Sequence, residues 1–206
     1  MKSVSLALAG LVLLVAQTVH ADAGAQGFVE KEQERLSSLL RQPASAGREA
    51  QIKSELDTMV DYDVLARRSF GDPCPPGTGE CTNHWESLSP AQRTEVTGLL
   101  KQLVQKNYRK NLTKSLDYDI TTKSTAEQGD TTRVRTQAKS RASSREAPLI
   151  VDYIVKGQGS NYRVVDMVTE GSSLTKNYYT QFHKMLGNPD QGYPHIVKKL
   201  TEKLAK

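Results

Sequence analysis

The chain is poor in the residues that most often carry chemistry. It has two cysteines, four histidines, one tryptophan and three phenylalanines in 206 residues. Two cysteines are too few for a disulfide-built scaffold. Beyond the leader described below, the only histidines are His84, His183 and His195. No two of them stand three or four positions apart, which excludes the two-histidine helix of the zinc proteases. A Ser nucleophile elbow and a phosphate-cradling Gly-Lys loop are also missing. Gly157-Gln158-Gly159 falls between two strand patterns and opens no helix, so it reads as hairpin chemistry. Charge of one sign is scarce too. The balance of 28 Lys+Arg against 23 Asp+Glu leaves only +5, which gives no case for nucleic acid as a partner. With 37% hydrophobic and 25% charged residues the chain is neither fibrous nor disordered and can bury a core.

One long apolar run is present, at the start. Met1-Lys2 is followed by Leu6 to Ala16 without a charge, then by Val19-His20-Ala21 with small residues at the positions a signal peptidase reads. The run is too short for a resident membrane span and reads as a secretory signal peptide. Residues 1–21 are therefore assigned to a signal peptide and 22–206 to a single domain, with cleavage after Ala23 as the close alternative. No later segment holds 18 consecutive apolar residues, so the mature protein is expected to be soluble and exported. Export gives Cys74 and Cys81 an oxidising setting. With six residues between them in a Pro/Gly-rich loop, they are expected to form a structural disulfide.

The N-terminal half has helical periodicity. Phe28, Leu36, Leu39 and Leu40 form a modest stripe, and Ile52, Leu56, Met59 and Val60 a second. Asp61 is placed to cap a short helix ending at Phe70-Gly71. The clearest helix begins at Ser89-Pro90-Ala91-Gln92, where Ser89 and Gln92 make a capping box ahead of Val96, Leu99, Leu100, Leu103, Val104, Tyr108 and Leu112. At Leu116 the period changes to two. Leu116–Ile120, Thr131–Ser140, Leu149–Lys156 and Tyr162–Thr169 are read as a four-stranded antiparallel meander. In the second strand Val134, Thr136 and Ala138 share one face, and Arg133, Arg135 and Lys139 the other. Leu174, Tyr178 and Phe182, then Tyr193, Ile196, Val197, Leu200 and Leu204, mark two closing helices. The expected class is α+β, with helices packed on one face of a curved sheet.

Asp152 and Asp166 fall on adjacent strands and are the one candidate carboxylate pair, with salt bridges or hydrogen bonds as the structural alternative. The apolar faces exceed what is needed to hold the elements together. They either fill one core or line a cavity.

Four segments bear on that choice. Asp61–Gly71 (DYDVLARRSFG) resembles the FDFxxLARRxLG segment of the MlaC, or toluene-tolerance, family. His84–Arg93 (HWESLSPAQR) is similar to its W..LSPEQR helix start, and Pro148–Tyr153 (PLIVDY) to its PIxVDY strand. Tyr162–Leu174, with Asn177-Tyr178 and Gln181-Phe182, resembles its WRVYDVxxEGxSLxxNYRxQF block. The blocks keep the family's order. Tyr162 stands where a tryptophan is usual and Tyr179 where an arginine is, and the cysteine loop is an insertion.

The resemblance implies a periplasmic phospholipid-binding protein with an NTF2-like α+β body, no cofactor and no chemistry. It implies exchange of lipid, as a monomer, between an outer-membrane lipoprotein complex and an inner-membrane ABC transporter carrying an MCE-domain subunit. Acyl chains would lie between the sheet and the Ser89 and Ser173 helices. The expected lining is Leu99, Leu103, Tyr108, Val151, Tyr153, Tyr178 and Phe182, with either Val164 and Val168 or Val165 and Met167, according to register. Such a pocket should be at or above the upper end of roughly 300–1,000 Å³. Arg133, Arg135 and Lys139 are candidates for docking an acidic partner. The competing reading is an enzyme on the same scaffold, with Asp152 or Asp166 as general base.

Overall fold

The computed structural model describes residues 22–76, 80–143 and 145–206, with Leu112, Thr113 and Lys114 described by backbone alone. The signal-peptide assignment lies outside the described residues. Four helices come first: α1 (Ala23–Arg41), α2 (Ala46–Met59), α3 (Tyr62–Ser69) and α4 (Pro90–Ser115). Strands β1 (Tyr118–Gln128), β2 (Thr131–Ser140), β3 (Leu149–Lys156), β4 (Arg163–Thr169) and β5 (Ser172–Ser173) follow, then α5 (Leu174–Leu186) and α6 (Gly192–Ala205). The class is α+β, as expected. The sheet runs β1-β2-β3-β4-β5 and is antiparallel throughout, so it has five strands rather than four. The fifth has only two residues, too few to show an alternation. It exists because Glu170 and Gly171, both at positive φ (49° and 77°), turn the chain back on β4.

Local chemistry accounts for the helix starts. Ser89 N–H donates to Gln92 Oε1 at 2.9 Å and Gln92 N–H to Ser89 Oγ at 3.2 Å, which is the reciprocal capping box. Asp61 caps α3 by accepting from Val64 N–H at 2.9 Å. Asp22 caps α1 and also accepts from the Tyr162 hydroxyl at 2.9 Å, which ties the start of α1 to the sheet.

Two irregularities matter for what faces where. Between β3 and β4 the pairing passes from Ile154↔Asp166 to Val155↔Val164, leaving Val165 as a bulge. The bulge breaks the simple alternation, so Met167, opposite Tyr153, and Val164, opposite Val155, come to one face. Neither register considered from the sequence has this combination. On β1 a second bulge falls between Thr122 and Ser124, leaving Lys123 without a cross-strand partner. The edge of β4 beyond β5 is partly covered by a bridge from Val60 to Val164, whereas β1 is an edge strand.

The core lies between the helices and the inner sheet face. Phe70 is its centre, with ring centroids 4.8 Å from Phe182 and 6.1 Å from Trp85. Ile52, Leu56, Leu65, Val96, Leu100, Leu103, Ile196 and Leu200 complete it. Cys74 and Cys81 are bonded, with Cα atoms 6.0 Å apart. The chain after the disulfide is held by Thr82 N–H donating to the Tyr179 hydroxyl at 2.9 Å and by His84 N–H donating to Phe70 C=O at 2.8 Å.

Candidate functional site

A cavity of about 290 Å³ opens between the inner sheet face, α1 and α4. The sheet contributes Tyr118 and Ile120 from β1, Thr136 and Ala138 from β2, Leu149, Val151 and Tyr153 from β3, and Met167 and Thr169 from β4. These are cross-strand neighbours: Ile120 lies opposite Ala138, Thr136 opposite Val151, and Val151 opposite Thr169. Gln33 and Ser37 from α1 and Tyr108, Asn111 and Ser115 from α4 form the helical wall. Among the described residues the lining contains no Asp, Glu, Lys, Arg or His. Gln33 Nε2 donates to the Tyr153 hydroxyl at 3.2 Å. Burial, and then the neighbouring Tyr153, push the Tyr108 hydroxyl well above its ordinary range, so this phenol stays neutral. The result is a greasy, hydroxyl-dotted chamber without a formal charge.

Of the residues read as lining, the structure brings Tyr108, Val151, Tyr153 and Met167 together around the cavity. Leu103, Val164, Tyr178 and Phe182 are buried in the core, and Leu99 packs against it. Val165 is fully buried at the bulge, and Val168, opposite Asp152, is half-buried on the outer face. The helix facing the sheet across the cavity is therefore α1, together with α4, in the place expected for α5. The apolar face of α5 is spent on Phe70, where Phe182 packs. Sequence reasoning missed Gln33 and Ser37 because a polar cavity wall leaves no apolar stripe. The alternation Tyr118, Ile120 and Thr136, Ala138 was the available signal for the sheet side.

At about 290 Å³ the cavity is smaller than the pocket expected from the sequence, and Tyr108, Tyr118 and Tyr153 are part of its wall. It does not end there. A recess of about 630 Å³ shares Gln33, Ser37, Ser115, Tyr118 and Ile120 with it and continues along the β1 edge.

Both candidate carboxylates are committed elsewhere. Asp152 alternates with Val151 and Tyr153 and so points to the outer face. There it accepts two bonds from Arg135, at 2.7 and 2.8 Å, with Arg133 Nε at 3.8 Å. Buried Asp166 accepts from Ser173 Oγ at 2.7 Å, Thr175 Oγ1 at 2.9 Å, Thr175 N–H at 3.0 Å and Met167 N–H at 2.8 Å. Lys139 is exposed on the face of Arg133 and Arg135. The fold also joins two histidines far apart in sequence: His84 Nε2 and His183 Nδ1 are 2.8 Å apart. Burial, then His183, lowers the His84 pKa. Among the described residues no third metal-ligating side chain joins them.

The family model described as MlaC protein matches residues 30–202, which takes in every residue named above as lining the cavity. The chain belongs to the MlaC family. No curated protein matches the sequence. A similar solved structure is that of the phospholipid-binding protein from Ralstonia solanacearum in complex with a phospholipid, with a TM-score of 0.70 and 18% identity over 88% of this chain and 97% of that one. That likeness is one of fold. In this MlaC chain the segments that resemble the family prove to be the fold's fasteners. Asp61 caps α3, Ser89 and Gln92 cap α4, Asp152 clamps Arg135, and Asp166 pins the start of α5. No helix among the described residues is long and apolar enough to cross a membrane.

Proposed function

We propose that this MlaC chain is a periplasmic phospholipid carrier. It holds acyl chains in the cavity between the sheet, α1 and α4 and passes lipid between an outer-membrane lipoprotein complex and the MCE-domain subunit of an inner-membrane ABC transporter. The observation that carries the reading is the uncharged lining, which suits a hydrocarbon guest and provides no acid–base pair. Membership of the MlaC family and the fold shared with a protein described as phospholipid-bound support it. The physical need is plain. Each methylene exposed to water costs about 0.8 kcal/mol, so two long chains cost on the order of 20 kcal/mol. A chamber that removes most of that cost makes transit through water possible. The cavity takes one chain segment. The enzyme reading is disfavoured because Asp152 and Asp166 face hydrogen-bond partners away from the cavity.

Protein purified from its own envelope without detergent is expected to carry phospholipid, read by native mass spectrometry and lipid extraction. Lipid-free protein from that preparation would overturn the carrier reading. The basic face of β2 is the proposed dock for an acidic partner. Arg135 is best left in place, since it neutralises Asp152. Reversing Lys139 to glutamate, which leaves Arg133 and Arg135 against Asp152, is expected to slow lipid transfer about two- to threefold and flatten its salt dependence without changing bound lipid. Transfer at the wild-type rate would remove the dock from this face.

A further inference from the structure

The recess that continues from the cavity carries the charge that the cavity lacks. Its charged lining is Glu30, Glu34 and Arg41 from α1, with Asp119 and Arg141 at the sheet edge. The α1 positions follow from helical spacing. Gln33 and Ser37 face the cavity, and Glu30, Glu34 and Arg41 continue the same side of the helix along the recess. Arg141 is already engaged, its Nε donating to Asp119 at 2.7 Å. Glu30 accepts one neutral bond from Gln26 at 2.9 Å and keeps its charge exposed. Glu34 and Arg41 have no hydrogen bond or ion pair with any described residue. They stand seven residues apart, roughly 10 Å along the helix axis. Their side chains can lean toward each other and bracket a group a few ångströms long.

A carrier has to place the polar end of its cargo somewhere, and this recess is contiguous with the uncharged chamber through Ser37 and Tyr118. We propose that the recess is the headgroup site and that it selects a zwitterionic headgroup bearing a primary ammonium. Arg41 meets the phosphodiester, and Glu34, with Glu30, meets the ammonium. The inference rests on the carrier reading. The chemistry is specific. A guanidinium binds a phosphodiester through paired N–H donors. An ammonium brings three N–H donors to the two carboxylates. A quaternary ammonium has none to give. A glycerol headgroup leaves the phosphate charge unbalanced beside two carboxylates, so a phospholipid with net negative charge meets repulsion where the zwitterion meets attraction.

The test is competitive loading. Delipidated protein is incubated with vesicles of equal parts phosphatidylethanolamine and phosphatidylglycerol with identical acyl chains, re-isolated, and its cargo read as a ratio by native mass spectrometry. Wild-type protein is expected to favour phosphatidylethanolamine about threefold, the scale of a partly exposed ion pair. Glu34→Lys is expected to bring the ratio to about one or invert it, and Glu34→Gln to fall between. A wild-type ratio near one, or the same ratio in all three proteins, would overturn headgroup selection while leaving the carrier reading intact. Failure of wild-type protein to load either lipid would overturn the carrier reading and this inference with it.

Discussion

Val151→Glu is expected to give a folded protein that carries little or no phospholipid. Val151 lies in mid-β3, half-buried, with Thr136 and Thr169 as its neighbours across the strands, and all three line the cavity. Its backbone carbonyl already accepts from the Thr136 hydroxyl at 2.9 Å, and a change of side chain leaves that bond in place. A carboxylate here would put a formal charge among described lining residues that have none. Holding it against acyl chains costs several kcal/mol, and every 1.4 kcal/mol is a factor of ten, so a loss of roughly a hundredfold or more in lipid affinity follows. Without lipid the same carboxylate can be hydrated through the open cavity, which is why the fold should survive. Leu103→Glu is the contrasting variant: Leu103 is 2% exposed in the packed core, and a charge there is expected to unfold the protein rather than empty it. Circular dichroism and lipid extraction on both proteins separate the outcomes. Folded Val151→Glu protein with a full lipid load would show that this strand face does not meet the chains.

Asp166→Ala should be the most damaging single substitution of a polar residue. The carboxylate accepts from two hydroxyls and two backbone N–H groups at the β4–α5 junction. One of its partners, Ser173, is itself the N-cap of α5, accepting from Lys176 N–H at 3.1 Å. The carboxylate therefore fixes the start of the helix whose Tyr178 and Phe182 pack in the core around Phe70. Removal strands the buried Thr175 N–H and loosens that helix. Hydrogen bonds to a charged group contribute about 1.5–3 kcal/mol each, and a stranded buried donor costs a further 1–3 kcal/mol, so a loss of roughly 3–5 kcal/mol is expected. For a chain of this size that lowers Tm by about 10 °C or more. Asp166→Asn keeps an acceptor and should lose less. An unfolding free energy for Asp166→Ala within about 1 kcal/mol of wild type would show that the junction is held by the cap alone.

Much of the fold was legible because each signal rests on a local cause. Ser89 and Gln92 announce a helix start through a bond that needs only their own backbone. The alternation of Val134, Thr136 and Ala138 with three basic residues states which side of β2 is dry. What escaped detection depends on contacts distant in sequence or on single-residue irregularities. Two residues of β5 hold no period. The bulge at Val165 changes the facing of Val164 relative to Met167 without any mark in composition. The wall that α1 gives the cavity is Gln33 and Ser37, polar residues indistinguishable from a solvated face until β3 is seen opposite. The helix stripe of Tyr178 and Phe182 was legible, but not its destination, since a core and a cavity demand the same apolar side chains.

The bulge at Lys123 bears on how copies of this protein treat one another. A sheet that ends in an eleven-residue strand offers a long row of unpaired N–H and C=O groups, the template on which a second chain can stack. Here the row is interrupted near its middle, where the ladder slips between Thr122 and Ser124 and an exposed lysine occupies the gap. Each remaining stretch is about five residues long, and the second, Ser124–Gln128, is made up of small and polar side chains. One extra residue thus makes this edge a poorer template for a second copy, while the opposite edge is partly covered by Val60 and β5.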